Sequence, residues 1–185
     1  MSIKIGVFVG SLRRDSFSKK VAETFNSLMP EKYEMKIIEI GNLQIYNQDF
    51  DDDGNTPKEW DAFRKVVKEL DGFLFVTPEY NRSIPPVLKN ALDIASRPYG
   101  QNVWSGKPGA IISVSPGNLG GFGANHHLRQ VLSFLNVYTM QQPEAYLSSI
   151  TDSLDEQGNI SSERTIKYMQ NIANGFAEWL DKFII

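Results

Sequence analysis

The segment IKIGVFVGSLRRDSFSKK, residues 3–20, joins an apolar run to a glycine and then to a corner crowded with hydroxyls and arginines. A strand apolar on both faces belongs between two layers, the mark of a parallel sheet covered by helices on either side. After the corner, Phe17, Val21, Phe25 and Leu28 recur at helical spacing. Strand, glycine turn and helix are the opening unit of a doubly wound α/β domain. The turn of such a unit is suited to an anion, because the first amides of the helix lack intrahelical partners and its dipole favours negative charge there. Ser11, Ser16 and Ser18 supply hydroxyls and Arg13 a charge, a set that suits a terminal phosphate. Neither the Walker A spacing nor G-x-G-x-x-G is present, since Gly10 is the turn's only glycine.

Outward from this unit, short β-branched runs recur at 34–40, 72–77, 109–115 and, more weakly, 137–141. Helical stripes fall between them: Trp60, Phe63, Val67 and Leu70; Leu88, Ala91, Leu92 and Ala95; Leu128, Val131, Leu132 and Leu135. A final stripe runs through Ile166, Met169, Ala173, Phe176, Leu180 and Phe183. Five strands alternating with five helices predict a doubly wound, five-stranded parallel sheet of order 2-1-3-4-5 with helices on both faces. In TPKE, Thr56 is expected at the N-cap, Pro57 at the first helical position and Glu59 at the third, a capping box. Paired prolines open the next helix near Pro85, and Pro98 closes it after Ser96. Residues 142–164 are expected to be irregular.

The 185 residues, 41% hydrophobic and 22% charged, suit one domain spanning 1–185. A net charge of -3 argues against a general nucleic-acid binder, which needs a basic stripe. Without cysteine, the chain has no thiolate nucleophile, disulfide or dithiol relay, so redox chemistry requires a bound cofactor. The first apolar run is too short for a signal peptide or a membrane span. The expectation is a cytoplasmic protein without a membrane partner.

In an open parallel sheet, ligands bind beyond the carboxyl ends of the strands where the strand order reverses. The loops leaving strands 1, 3 and 4 read GSLRRDSFS, TPEYNRSIPP and SPGNLGGFG. The second offers Glu79, Tyr80 and Asn81 between Pro78 and Pro85, a rigid frame for a flat heterocycle. In the third, Gly117, Gly120, Gly121 and Gly123 allow close backbone approach to a ligand.

These motifs, with HLRQ after the glycine loop, closely resemble the NADPH-dependent FMN reductase family, which has a flavodoxin-like fold. The resemblance covers nearly the whole chain and is closest to the bacterial quinone, azo-dye and chromate reductases. It implies FMN phosphate held by Ser11, Arg13, Ser16 and Ser18. The isoalloxazine ring would be bordered by Pro78, Glu79, Tyr80, Asn81, Ser115, Pro116 and Gly117. It further implies NADPH or NADH as transient co-substrate and small electron acceptors: quinones, azo compounds, nitroaromatics and chromate. A homodimer or homotetramer is also implied, and Tyr99 and Trp104, outside the helical stripes, are expected to serve the contact. Relatives often carry asparagine where Ser18 stands, and arginine in the helix that here reads GFGAN. The alternative is a flavodoxin-like electron carrier without NAD(P)H turnover, but such carriers usually cradle phosphate with threonine and glycine rather than GSLRRDS.

Two other signals are set aside. DFDDDGNTPKEW places Asp49, Asp51, Asp53 and Gly54 like a calcium loop, yet its twelfth residue is Trp60 where a bidentate glutamate is required. His126 and His127 are adjacent and so face different sides of a helix, unlike an i, i+4 metal pair. No G-x-S-x-G elbow exists for a serine nucleophile.

Overall fold

The computed structural model describes residues 2–184. In chain order it contains β1 (Ile3–Val9), α1 (Phe17–Leu28), β2 (Tyr33–Ile37), α2 (Asp49–Asp52), α3 (Lys58–Lys68), β3 (Gly72–Thr77) and α4 (Pro86–Ala95). There follow β4 (Pro108–Val114), α5 (Phe122–Phe134), β5 (Tyr138–Thr139), β6 (Ala145–Leu147), a 3-10 turn (Ile150–Ser153) and α6 (Glu163–Leu180). The sheet is parallel with order β2-β1-β3-β4-β5, the flavodoxin-like order expected from the sequence. No described helix is long and apolar enough to cross a membrane.

All residues of β3 and β4 are buried, because alternate side chains enter separate cores on the two faces. Ile5, Val7, Val9, Leu74, Val76 and Ile112 pack with residues of α1 and α6. Phe8, Phe73, Phe75 and Ile111 face α3, α4 and α5. Trp104 belongs to this second core and is not an interface aromatic. It is 0% exposed, its ring lies 5.0 Å from Phe73 and 5.1 Å from Phe8, and its Nε1 donates to the Leu92 carbonyl at 3.0 Å. Its large ring fills the space beside four phenylalanines, Phe8, Phe63, Phe73 and Phe75, which outweighs the polarity of the loop around it.

The fifth strand departs from expectation. Tyr138 and Thr139 pair with Pro108 and Gly109, the chain leaves the edge, and Ala145–Leu147 then pairs with Ile112–Val114. Pro143, between the two pieces, has no amide hydrogen for a continuous ladder. The region expected to be irregular therefore contributes β6.

The capping box does not form. Pro57 occupies the N-cap of α3, and Thr56 Oγ1 instead donates to Asp51 Oδ1 at 2.9 Å. Asp51 is also gripped by Arg64 through contacts of 2.8 and 2.6 Å. The acidic stretch thus forms the single turn α2 and serves an internal ion pair.

Candidate functional site

β1, β3 and β4 lie side by side in register, so their exit loops meet at one end of the sheet. Gly10 is a point of close approach between the first two. Its amide donates to Val76 O at 2.9 Å, and a Cβ there would lie 3.1 Å from Pro78 and 3.3 Å from Pro85. A side chain at this position would push the first loop off the second.

α1 starts beyond this contact. Ser16 caps it, its Oγ accepting from Lys19 N at 3.1 Å. The amides of Phe17 and Ser18, in the same first turn, have no intrahelical acceptor. Ser18 is only 1% exposed, and its Oγ has no hydrogen-bond partner among the described residues. A buried, unpaired hydroxyl costs roughly 1–3 kcal/mol, so its retention beside open amides fits an anionic ligand that completes it. Ser11 Oγ accepts from Arg13 N at 3.4 Å, and the Arg13 side chain is left at the exposed rim.

The loop after β3 ends in a tight turn. Tyr80 and Ser83 exchange both backbone hydrogen bonds at 2.9 Å, with Asn81 at φ 51° and Arg82 at φ 65°. Two central residues with positive φ define the type I′ class, which asparagine tolerates better than most residues. Asn81 therefore has a backbone duty that its family resemblance did not reveal. The Arg82 guanidinium returns to Glu79 Oε1 at 2.9 Å, and Glu79 Oε2 accepts from Ala124 N at 3.1 Å. Glu79 thereby caps α5, whose own N-cap is the left-handed Gly121 with no side chain to offer. Gly123 makes room for this: a Cβ there would lie 3.0 Å from Glu79 Oε2. A second tie joins the same parts, with Ser83 Oγ 2.7 Å from His127 Nδ1.

After β4, Ser115 Oγ accepts from Gly117 N at 3.0 Å, and Gly117 O accepts from Ser149 N at 3.1 Å. β6 thus fixes the glycine loop from the side. Tyr146 on β6 lies 2.9 Å from His126 Nε2, and burial with the neighbouring Glu144 pushes its hydroxyl pKa up to about 12. Tyr146 escaped the sequence reading because β6 itself did.

Nine predicted residues line one cleft: Ser11, Arg13, Ser16, Ser18, Pro78, Glu79, Tyr80, Ser115 and Pro116. Phe17 and Val114 join them, while Asn81 and Gly117 stand one residue outside. The cleft encloses about 130 Å³.

Fold and crevice together define a flavodoxin-like nucleotide-binding protein with its cleft at the topological switch point. A family model described as NADPH-dependent FMN reductase matches residues 3–152, and the chain belongs to that family. A quinone reductase of Pseudomonas putida is 48% identical over 176 residues, which cover 95% of this chain and 94% of the relative. A 2-hydroxy-1,4-benzoquinone reductase of a Burkholderia species is 49% identical, covering 97% of both chains. Among solved structures, the Paracoccus denitrificans flavoenzyme FerB, an NAD(P)H:(acceptor) oxidoreductase, matches with a TM-score of 0.90 and 36% identity over 98% of each chain. The chain is accordingly an NAD(P)H-dependent oxidoreductase with FMN as cofactor.

Proposed function

We propose a cytoplasmic NAD(P)H:quinone oxidoreductase whose FMN phosphate is held by Ser11, Arg13, Ser16 and Ser18. The observation that carries this assignment is the buried, unpartnered Ser18 hydroxyl beside the first amides of α1. Arg13 adds charge at the rim, and the Ser16 hydroxyl keeps its hydrogen free while its oxygen caps Lys19. Pro78, Glu79, Tyr80 and Asn81 border the ring on one side, and Ser115, Pro116 and Gly117 on the other. FMN supplies the hydride and electron chemistry, so the chain needs no dedicated acid or base.

The residues' task is to orient two flat partners on one exposed face. Nicotinamide and acceptor would occupy that face in turn, the basis for a ping-pong mechanism with quinones, azo compounds, nitroaromatics and chromate as acceptors. Initial rates at varied NADPH and benzoquinone should give parallel reciprocal plots. Intersecting plots would contradict the shared face, and failure to oxidise NAD(P)H would contradict the enzyme reading.

The same reading includes a homodimer or homotetramer, with neither nucleic acid nor membrane as partner. Its support is the exposure of large aromatics, Tyr99 at 93% and Phe134 at 87%. Sedimentation at micromolar concentration should show a dimer or larger; a 20.9 kDa monomer with full turnover would contradict association.

A further inference from the structure

A second groove begins where the phosphate cleft ends. It holds about 330 Å³ between the β1–α1 loop and the exit of β2, and shares Ser11 and Arg13 with the cleft. Its walls are unusual for a surface groove, because Leu12 and Ile37 are 59% and 40% exposed and face a space also lined by Ile38 and Ile40. A flat apolar group can lie between them. Its polar lining consists of Arg13, Arg14, Lys19 and Glu39, with Ser11.

The charges decide what such a group would carry. Arg14 has no acidic partner among the described residues, and Lys19 reaches Glu23 only at 3.9 Å, with both side chains more than half exposed. Such an exposed pair is worth little and leaves the ammonium available. Glu39 Oε1 accepts from Gly41 N at 2.6 Å, which leaves its second oxygen for a hydroxyl. In dinucleotide-binding βαβ units an acid past the second strand takes a ribose hydroxyl, and arginine beside it accommodates a 2′-phosphate; this chain lacks the glycine fingerprint of those units but places the same two residue types at the exit of β2. Glu39 alone would favour a free diol. With Arg13 given to the flavin phosphate, two cations, Arg14 and Lys19, stand against one carboxylate and reverse that preference toward the phosphorylated ribose.

We propose that this groove binds the adenosine 2′-phosphate end of NADPH, with adenine between Leu12 and Ile37 and the phosphate facing Arg14 and Lys19. The assignment rests on the flavin reading above, since Arg13 is there committed to FMN phosphate, and it makes Arg14 and Lys19 determinants of coenzyme choice. It places the two coenzyme ends on either side of the β1–α1 loop.

The test uses FMN-loaded enzyme with adenosine 2′,5′-bisphosphate and AMP as calorimetric probes. The bisphosphate should bind at least about tenfold more tightly, the scale of one charge-assisted phosphate contact. Arg14→Ala should erase that preference and raise the KM for NADPH about tenfold, with FMN content and NADH turnover unchanged; Lys19→Gln should act in the same direction. Equal binding of the two probes, or an Arg14→Ala enzyme slowed alike with NADH and NADPH, would overturn the groove assignment alone. Protein that takes up no FMN would overturn the flavin reading and this one with it.

Discussion

Glu79 caps a helix that begins more than forty residues further along the chain: its Oε2 accepts the Ala124 amide at 3.1 Å while Oε1 holds Arg82 at 2.9 Å. One carboxylate thereby ties the turn after β3 to the first turn of α5, the helix that follows the glycine loop.

Glu79→Ala should destabilise the apoprotein by about 1–2 kcal/mol, the usual cost of a lost cap with an ion pair. Glu79→Gln keeps an acceptor for Ala124 and should recover roughly half of that. Urea titration of both variants measures the difference. An unchanged midpoint for Glu79→Ala would show that the cap contributes nothing.

Ser18→Ala should separate folding from binding. Removing an unpaired buried oxygen should leave the apoprotein as stable as before, or more stable by up to about 1 kcal/mol. FMN affinity should fall roughly tenfold, since the ligand loses its buried partner. A destabilised apoprotein with unchanged FMN affinity would mean that the hydroxyl has a structural partner.

Asp51 and Arg64 give the fold an acid limit. Their side chains are 3% and 12% exposed, and the guanidinium holds the Asp51 carboxyl below its ordinary value of 3.8 despite the opposing effect of burial. A depressed folded-state pKa stabilises the protein above pH 4 or so, and that stabilisation is lost as pH falls through the lower folded value. Asp51→Asn should cost about 2 kcal/mol at neutral pH, because it removes the two short charge-assisted contacts of Arg64 and leaves the guanidinium with Asp61 at 3.6 Å and the Ile94 carbonyl at 3.0 Å, and should flatten the stability profile below pH 4. Denaturant midpoints measured from neutral pH to pH 3 check both; an acid limb unchanged in the variant would assign the loss to other groups.

The legible parts of this protein were those whose neighbours lie near in sequence or whose surroundings impose a strong pattern. β3 and β4 announce themselves because both faces are buried, and the loops that follow carry their chemistry in short runs. β6 was hidden because three residues beyond a proline make too short a run to show alternation. Thr56 looked like a cap, but its hydroxyl found Asp51 first, and no local rule weighs that competition. Trp104 looked like a surface aromatic because the phenylalanines around it come from two other strands and a helix. That Ser11, Arg13, Ser16 and Ser18 share one cleft is legible in their short run, while Glu79 as a cap is not, since its partner lies on a distant helix.

The most direct test is a titration of apoprotein with FMN, for the unaltered chain and for Arg13→Ala, followed by the change in flavin absorbance. One FMN should bind per chain, and Arg13→Ala should weaken it by about 10- to 100-fold through loss of a charge-assisted phosphate contact, with folding unchanged. Unchanged FMN affinity in a folded Arg13→Ala protein would contradict the placement of the phosphate, and a chain that takes up no FMN would contradict the account as a whole.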